Sequence, residues 1–310
     1  MELKTALRAA TAIAALAISP NITMAQDLES APATGAEIFY SSDSDDTEIV
    51  RTAIDLDIVN RGEDRRYGIR LEKAWYDPSG TGKRERERVF LRAADVSGDW
   101  NWSALVGTDG DTIIGSAYVH DNSRWRKEAF IERDVVETPR GIDEGIYSTF
   151  VGAALDIPAD ENNIFTVLGG VQEFTGDNVR LHARANYVHV VDADLGLSGQ
   201  LRTRYFHSTE PNEFDYYSPR WYAQVLPVVQ MRRFVNRWEL VGAVGVGLQR
   251  DATSDWRRSD FANLRVRSPR NDDDWQFHAD LTYTNAPGDS AVSGSDYSYF
   301  QTRVGFMRRF

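Results

Sequence analysis

The sequence predicts an all-β fold, a transmembrane antiparallel up-and-down β-barrel of about 16 strands with 14 as the lower count. Three observations carry that expectation. Apolar and polar residues alternate with period two along nearly the whole chain, in runs cut by turn residues. The connections between runs alternate between short and long. The last run, SYFQTRVGFMRRF, has one mostly apolar face, Phe310, Phe306, Val304 and Phe300, and stops on an aromatic residue. No stretch reaches the roughly 18 consecutive apolar residues that a membrane-crossing helix needs.

Residues 1–25 carry Lys4 and Arg8, an apolar run over 9–18, and small residues around Ala25, the pattern of a cleaved secretory signal. The barrel then occupies residues 26–310. Strands are expected at 36–42, 47–59, 67–76, 84–96, 100–107, 111–120, 125–137 and 145–157 in the first half. The second half adds 163–174, 178–191, 195–207, 216–233, 237–250, 262–268, 273–285 and 297–310. After even-numbered strands the connections are brief, as at 97–99, 121–123 and 235–236. After odd-numbered strands several are longer, as at 138–144, 208–215, 251–261 and 286–296. Short turns on one rim, longer loops on the other and an even strand count are how outer-membrane barrels are built.

Composition narrows the partners. A net charge of −12 disfavours nucleic acid, and the absence of cysteine excludes a disulfide framework and thiolate metal sites. In the thirteenth strand one side reads Trp238, Leu240, Gly242, Val244, Val246, Leu248, while the reverse includes Arg237, Glu239 and Gln249. Trp102, Trp238 and Trp275 fall near one end of their strands and Trp75, Trp221 and Tyr283 near the other, as two interfacial girdles require. The expected address is the outer membrane, with lipid and lipopolysaccharide as surroundings. Phe310 and Phe306 resemble the terminal signature read by the barrel assembly machinery, although Arg308 stands where that signature is usually apolar.

A barrel of about 16 strands leaves an aqueous lumen, so the baseline function is a pore for a hydrophilic cargo. The polar faces of strands ten to twelve contribute Arg180, Arg184, Arg202, Arg204 and Arg232, with Tyr222 and Gln224 beside them. Strands two and fifteen contribute Asp55, Asp57, Asp274 and Asp280, so a basic wall and an acidic wall are expected on different sides. A hairpin turn centred near Ala193 would set Arg184 opposite Arg202. Two roles stay open for these arginines: pairing with lumenal carboxylates, or attracting anionic groups and orienting a polar chain. Aromatic residues such as Tyr222 and Phe206 would offer stacking surfaces.

Enzyme chemistry is not expected. The histidines show no metal-ligand spacing, and no Gly-x-Ser-x-Gly elbow exists, so neither catalytic residue, metal nor cofactor is assigned. The acidic runs at 43–46 and 272–274 read as solvated turns, with calcium or the cations that bridge lipopolysaccharide as the other reading.

The stretch FDYYSPRWY, containing Tyr216, Tyr217, Ser218 and Pro219, resembles the aromatic-Ser-Pro entry to a late strand in the C-terminal barrel of bacterial cellulose and poly-N-acetylglucosamine exporters. The likeness extends to barrel size and to a following hairpin with Trp238. It implies export of an exopolysaccharide. Those exporters carry a helical-repeat scaffold ahead of the barrel and this chain shows none, so export would call on a separate periplasmic scaffold and a polysaccharide synthase. A general diffusion porin is the second reading, and a barrel enzyme or adhesin the third.

Overall fold

The computed structural model describes residues 31–62, 65–269, 274–289, 291 and 296–310. The expected signal over 1–25, and Asp272 and Asp273 of the second acidic run, lie outside them. The first eight strands are β1 (Ala31–Asp43), β2 (Glu48–Asn60), β3 (Arg66–Asp77), β4 (Arg84–Ser97), β5 (Trp100–Thr108), β6 (Ile113–Asp121), β7 (Lys127–Val135) and β8 (Tyr147–Pro158). The remainder are β9 (Asn163–Phe174), β10 (Val179–Asp192), β11 (Leu197–Ser208), β12 (Trp221–Val235), β13 (Trp238–Asp251), β14 (Arg257–Arg267), β15 (Trp275–Thr284) and β16 (Tyr299–Arg309). A single α-helical turn, α1 (Pro139–Glu144), sits between β7 and β8.

Each strand pairs antiparallel with its neighbours in sequence, and β1 pairs with β16 from Ala33↔Arg309 to Asp43↔Tyr299, closing the barrel. Closure leaves no edge strand, which lipid demands because it can satisfy no backbone group. The Phe310 N–H donates to the Pro32 carbonyl at 3.0 Å, so Pro32 and the C-terminus share one rim, called here the terminal rim. The connections after odd-numbered strands all lie on the opposite rim, the loop rim, and include the three long loops 136–146, 209–220 and 285–298.

The outward face is apolar and exposed: Ile54, Ile58, Leu91, Leu181, Val229 and Val244 all stand clear of the protein. Their inward neighbours Asp55, Arg92, His182 and Gln230 are buried. A soluble fold inverts that arrangement; a lipid-facing barrel around a polar lumen requires it. Such a closed, apolar-skinned barrel belongs in the outer membrane. Aromatic side chains mark both interfaces, with Trp238 and Trp275 near the terminal rim and Tyr283 near the loop rim. The departure at Arg308 has a local explanation. Its guanidinium lies 5.0 Å from the Trp275 ring and 5.3 Å from that of Phe310, a cation held by aromatic faces where lipid gives way to water.

All the expected strands are present, and three of them begin five residues away from the expected position. β1 begins at Ala31 rather than 36, and β14 at Arg257 rather than 262, because the ladder with β13 continues to Gln249↔Arg257 through a polar run that masks the alternation. β12 begins at Trp221 rather than 216. Pro219 has no N–H to give a ladder, and the tyrosines before it turn into the lumen instead.

Candidate functional site

The site is the lumen. Near the terminal rim it opens as a cavity of about 460 Å3 bordered by Glu37, Asp55, Arg70, Arg92, Tyr118 and His278. Toward the loop rim a second, smaller cavity of about 70 Å3 lies between Glu37, Arg70, Arg88 and Asp134 and forms a neck. Above the neck an apolar cluster of Phe39, Ile49, Tyr76, Phe90, Ile142 and Tyr147 packs inside the bore. Ile142 comes from α1, whose start is set by Pro139 at the first turn and by the Thr138 hydroxyl accepting the Gly141 N–H at 3.0 Å.

The long loops therefore fold inward rather than stand in solvent. Glu137 forms an ion pair with Arg51 of β2, both buried. In the 209–220 loop, Tyr216 stacks on Phe174 at 4.3 Å and accepts a hydrogen bond from Asn178 at 2.9 Å. The Tyr217 hydroxyl donates to Asp251 at 2.7 Å, and its carbonyl accepts from Arg180 at 2.7 Å. Burial and the Asp251 carboxylate push this phenol far above its ordinary value, so it stays a donor at any physiological pH. The Ser218 hydroxyl accepts the Asn212 N–H at 2.9 Å and closes the loop on itself. From the third loop, Asp289 forms a buried ion pair with Arg180 and accepts from Gln172 at 2.9 Å.

The loops also hold one another. Asp215 accepts from the Thr138 hydroxyl at 2.7 Å and from the Arg140 N–H at 2.8 Å, and the Tyr217 N–H donates to the Asp289 carbonyl at 3.3 Å. Together the described parts of these loops obstruct the loop-rim half of the bore.

The sequence-predicted lumen residues other than Asp274 face inward, in different settings. Arg180 and Tyr222 are fully covered by the inward loops. Tyr222 lies flat on Phe206 at 5.2 Å in a cluster with Tyr217, Ala291, Tyr297 and Tyr299, so neither ring is the open stacking surface that was expected. Arg184, Arg202, Arg204 and Gln224 lie below that layer and are only partly buried. Arg232 sits near the terminal rim, paired with Glu239 at 2.7 Å.

Two expectations about charge need correction. The hairpin sets Arg184 opposite Arg204, and Arg202 opposite Asn186, because the turn spans 193–196, between the paired Asp192 and Leu197, and so lies beyond a turn centred on Ala193. The acidic wall does not exist as such. Asp55 is bound by Arg92 at 2.5 Å, Asp57 by the same guanidinium at 3.3 Å, and Asp280 by Arg265 at 2.9 Å. Asp274 is exposed, ahead of β15.

Glu137, Asp215, Asp251 and Asp289, which hold the closure, were missed. A signal was present: the long loops carry Ile142, Ile146, Ala286 and Tyr297, apolar and aromatic residues that a solvated loop has no use for.

No known protein family matches the chain by its sequence profile, and no curated protein matches it in sequence. Solved structures do match. A structure described as a bacterial polysaccharide outer membrane secretin superposes with a TM-score of 0.68 at 14% identity, covering 92% of this chain and 100% of that one. OprD of Pseudomonas aeruginosa follows far more loosely, with a TM-score of 0.45 at 10% identity, covering 94% of this chain and 98% of its own. At such identities the first likeness speaks for the fold: this chain has the fold of an outer-membrane pore barrel.

Proposed function

We propose that the protein is an outer-membrane pore that exports a saccharide polymer. The observation that carries this reading is a polar, arginine- and amide-lined bore, open toward the terminal rim and obstructed at the loop rim by interlocked inward loops. A diffusion porin must stand open to small solutes. A polymer exporter gains from a bore that stays shut until cargo arrives, since an open channel of this width would leak. The likeness to a polysaccharide secretin agrees with export without naming the cargo. The terminal rim faces the periplasm in this reading, and a separate scaffold and a synthase deliver the polymer there.

Deleting the gene in the producing cell tests it. The expected result is loss of surface or secreted polysaccharide, with small-solute uptake unchanged. Normal polysaccharide with slowed uptake of small solutes would instead establish the diffusion porin.

A further inference from the structure

Below the closing loops, the wall formed by β10 and β11 differs from the rest of the lumen. Its inward residues are Arg184 opposite Arg204, Asn186 opposite Arg202, Val188 opposite Gln200, and Val190 opposite Ser198. Among the described residues no carboxylate reaches Arg202 or Arg204 within ion-pair distance. Their guanidinium groups lie on rings instead: Arg202 at 4.9 Å from Phe261, and Arg204 at 5.4 Å from both Phe206 and Tyr222. The Gln200 carbonyl oxygen holds Arg202 through bonds of 3.0 and 2.8 Å.

Around these two arginines polar atoms are buried without a partner. Both ends of the Asn186 amide, the Gln200 NH2, the Ser198 hydroxyl and the Arg204 Nε have none among the described residues. Asn186 is 3% exposed, Gln200 5% and Ser198 1%. Buried polar groups left unpaired cost about 1–3 kcal/mol each, so amides and a hydroxyl in that state beside arginines that no carboxylate reaches point to something that satisfies them.

The neighbouring wall supplies the other half of a recognition surface. Leu226, Val228, Ala243 and Phe261 form an apolar inward shelf on β12 to β14, with Leu226 directly opposite Arg202. A pyranose ring has one apolar C–H face and a rim of hydroxyls. The shelf suits the first, and the amides and the serine suit the second. The remaining demand is for negative charge, because two guanidinium groups with no carboxylate present forked donors to a planar anion.

We infer that the β10–β11 wall, with the shelf beside it, is a binding subsite for an acidic saccharide, a sugar bearing a carboxylate. This rests on the polymer-export reading and names the class of its cargo.

Equilibrium binding to the full barrel purified in detergent tests it. The probes are tetragalacturonate, its neutral counterpart cellotetraose, a cationic chitosan tetramer and inorganic phosphate. Tetragalacturonate should bind at least about tenfold more tightly than cellotetraose, as one or more charge-assisted contacts imply. The preference should shrink as salt rises above about 0.1 M. The double variant Arg202→Gln with Arg204→Gln should lose the preference, and Arg202→Lys with Arg204→Lys, which keeps the charge but not the fork, should retain part of it. Retention of the heat-modifiable folded band qualifies each variant.

Binding of cellotetraose as tight as that of tetragalacturonate would overturn the acidic assignment and leave saccharide export standing. Phosphate competing as well as tetragalacturonate would reduce the wall to a small-anion site and overturn it too. Absence of tetragalacturonate binding, or binding indifferent to the glutamine pair, would do the same.

Discussion

The β2–β4 wall and the β10–β11 wall both place arginines in the lumen, and they use them differently. On the first, Arg70 meets Glu37 at 2.6 Å, Arg88 meets Glu72 at 2.8 Å and Asp134 at 2.5 Å, and Arg92 meets Asp55 at 2.5 Å. The charges cancel within a lattice that ties adjacent strands and fixes the width of the neck. On the second, Arg204 faces Arg184 across the strand pair. Like charges directly opposite are unfavourable, and the Phe150, Phe206 and Tyr222 rings against these guanidinium groups offset part of that cost. One residue type thus serves as a staple where carboxylates surround it and as an open donor where aromatic and amide side chains do.

This contrast orders the effects of substitution. Asp55→Ala should be the most damaging, since it leaves Arg92 and Arg70 with too few carboxylates in a buried lattice. A loss of about 3 kcal/mol is expected, read as a lower temperature at which the folded band converts to the unfolded one. A change below about 1 kcal/mol would mean the first wall is no staple. Tyr217→Phe comes next. Removing the donor to Asp251 should cost about 1–2 kcal/mol and admit faster hydrogen exchange or proteolytic nicking in the 209–220 loop, with the barrel strands unaffected. Uniform loosening of the strands would contradict a local tether. Arg204→Gln should have the smallest effect on stability, within about 0.5 kcal/mol of the parent, while shifting the reversal potential in a salt gradient toward cations. A large stability loss there would erase the distinction between the walls.

Much of the fold was legible in the sequence because a barrel strand repeats one rule, apolar out and polar in, over and over. Leu181, Ala183 and Ala185 alternating with Arg180, His182 and Arg184 announce both faces of β10 without any knowledge of its neighbours. The inward orientation of the predicted arginines followed from the same rule. Their partners did not, since pairing depends on register, and a turn over 193–196 rather than one centred on Ala193 put Arg204 instead of Arg202 opposite Arg184. The closure was also hidden. Tyr216 and Tyr217 alternate well enough to pass for the start of a strand, and only the three-dimensional meeting of Asp289 with Arg180, 109 positions apart, shows that they belong to a loop turned inward.

The claim on which the account rests is that the loops shut an otherwise conducting bore. Single-channel recording in a planar lipid bilayer tests it most directly, comparing the parent barrel with the variant Glu137→Gln with Asp289→Asn, which weakens the anchors to Arg51 and Arg180 and leaves the strands intact. The account predicts rare, small conductance for the parent and openings several times larger and longer-lived for the variant. A parent barrel that conducts as freely as the variant would contradict it.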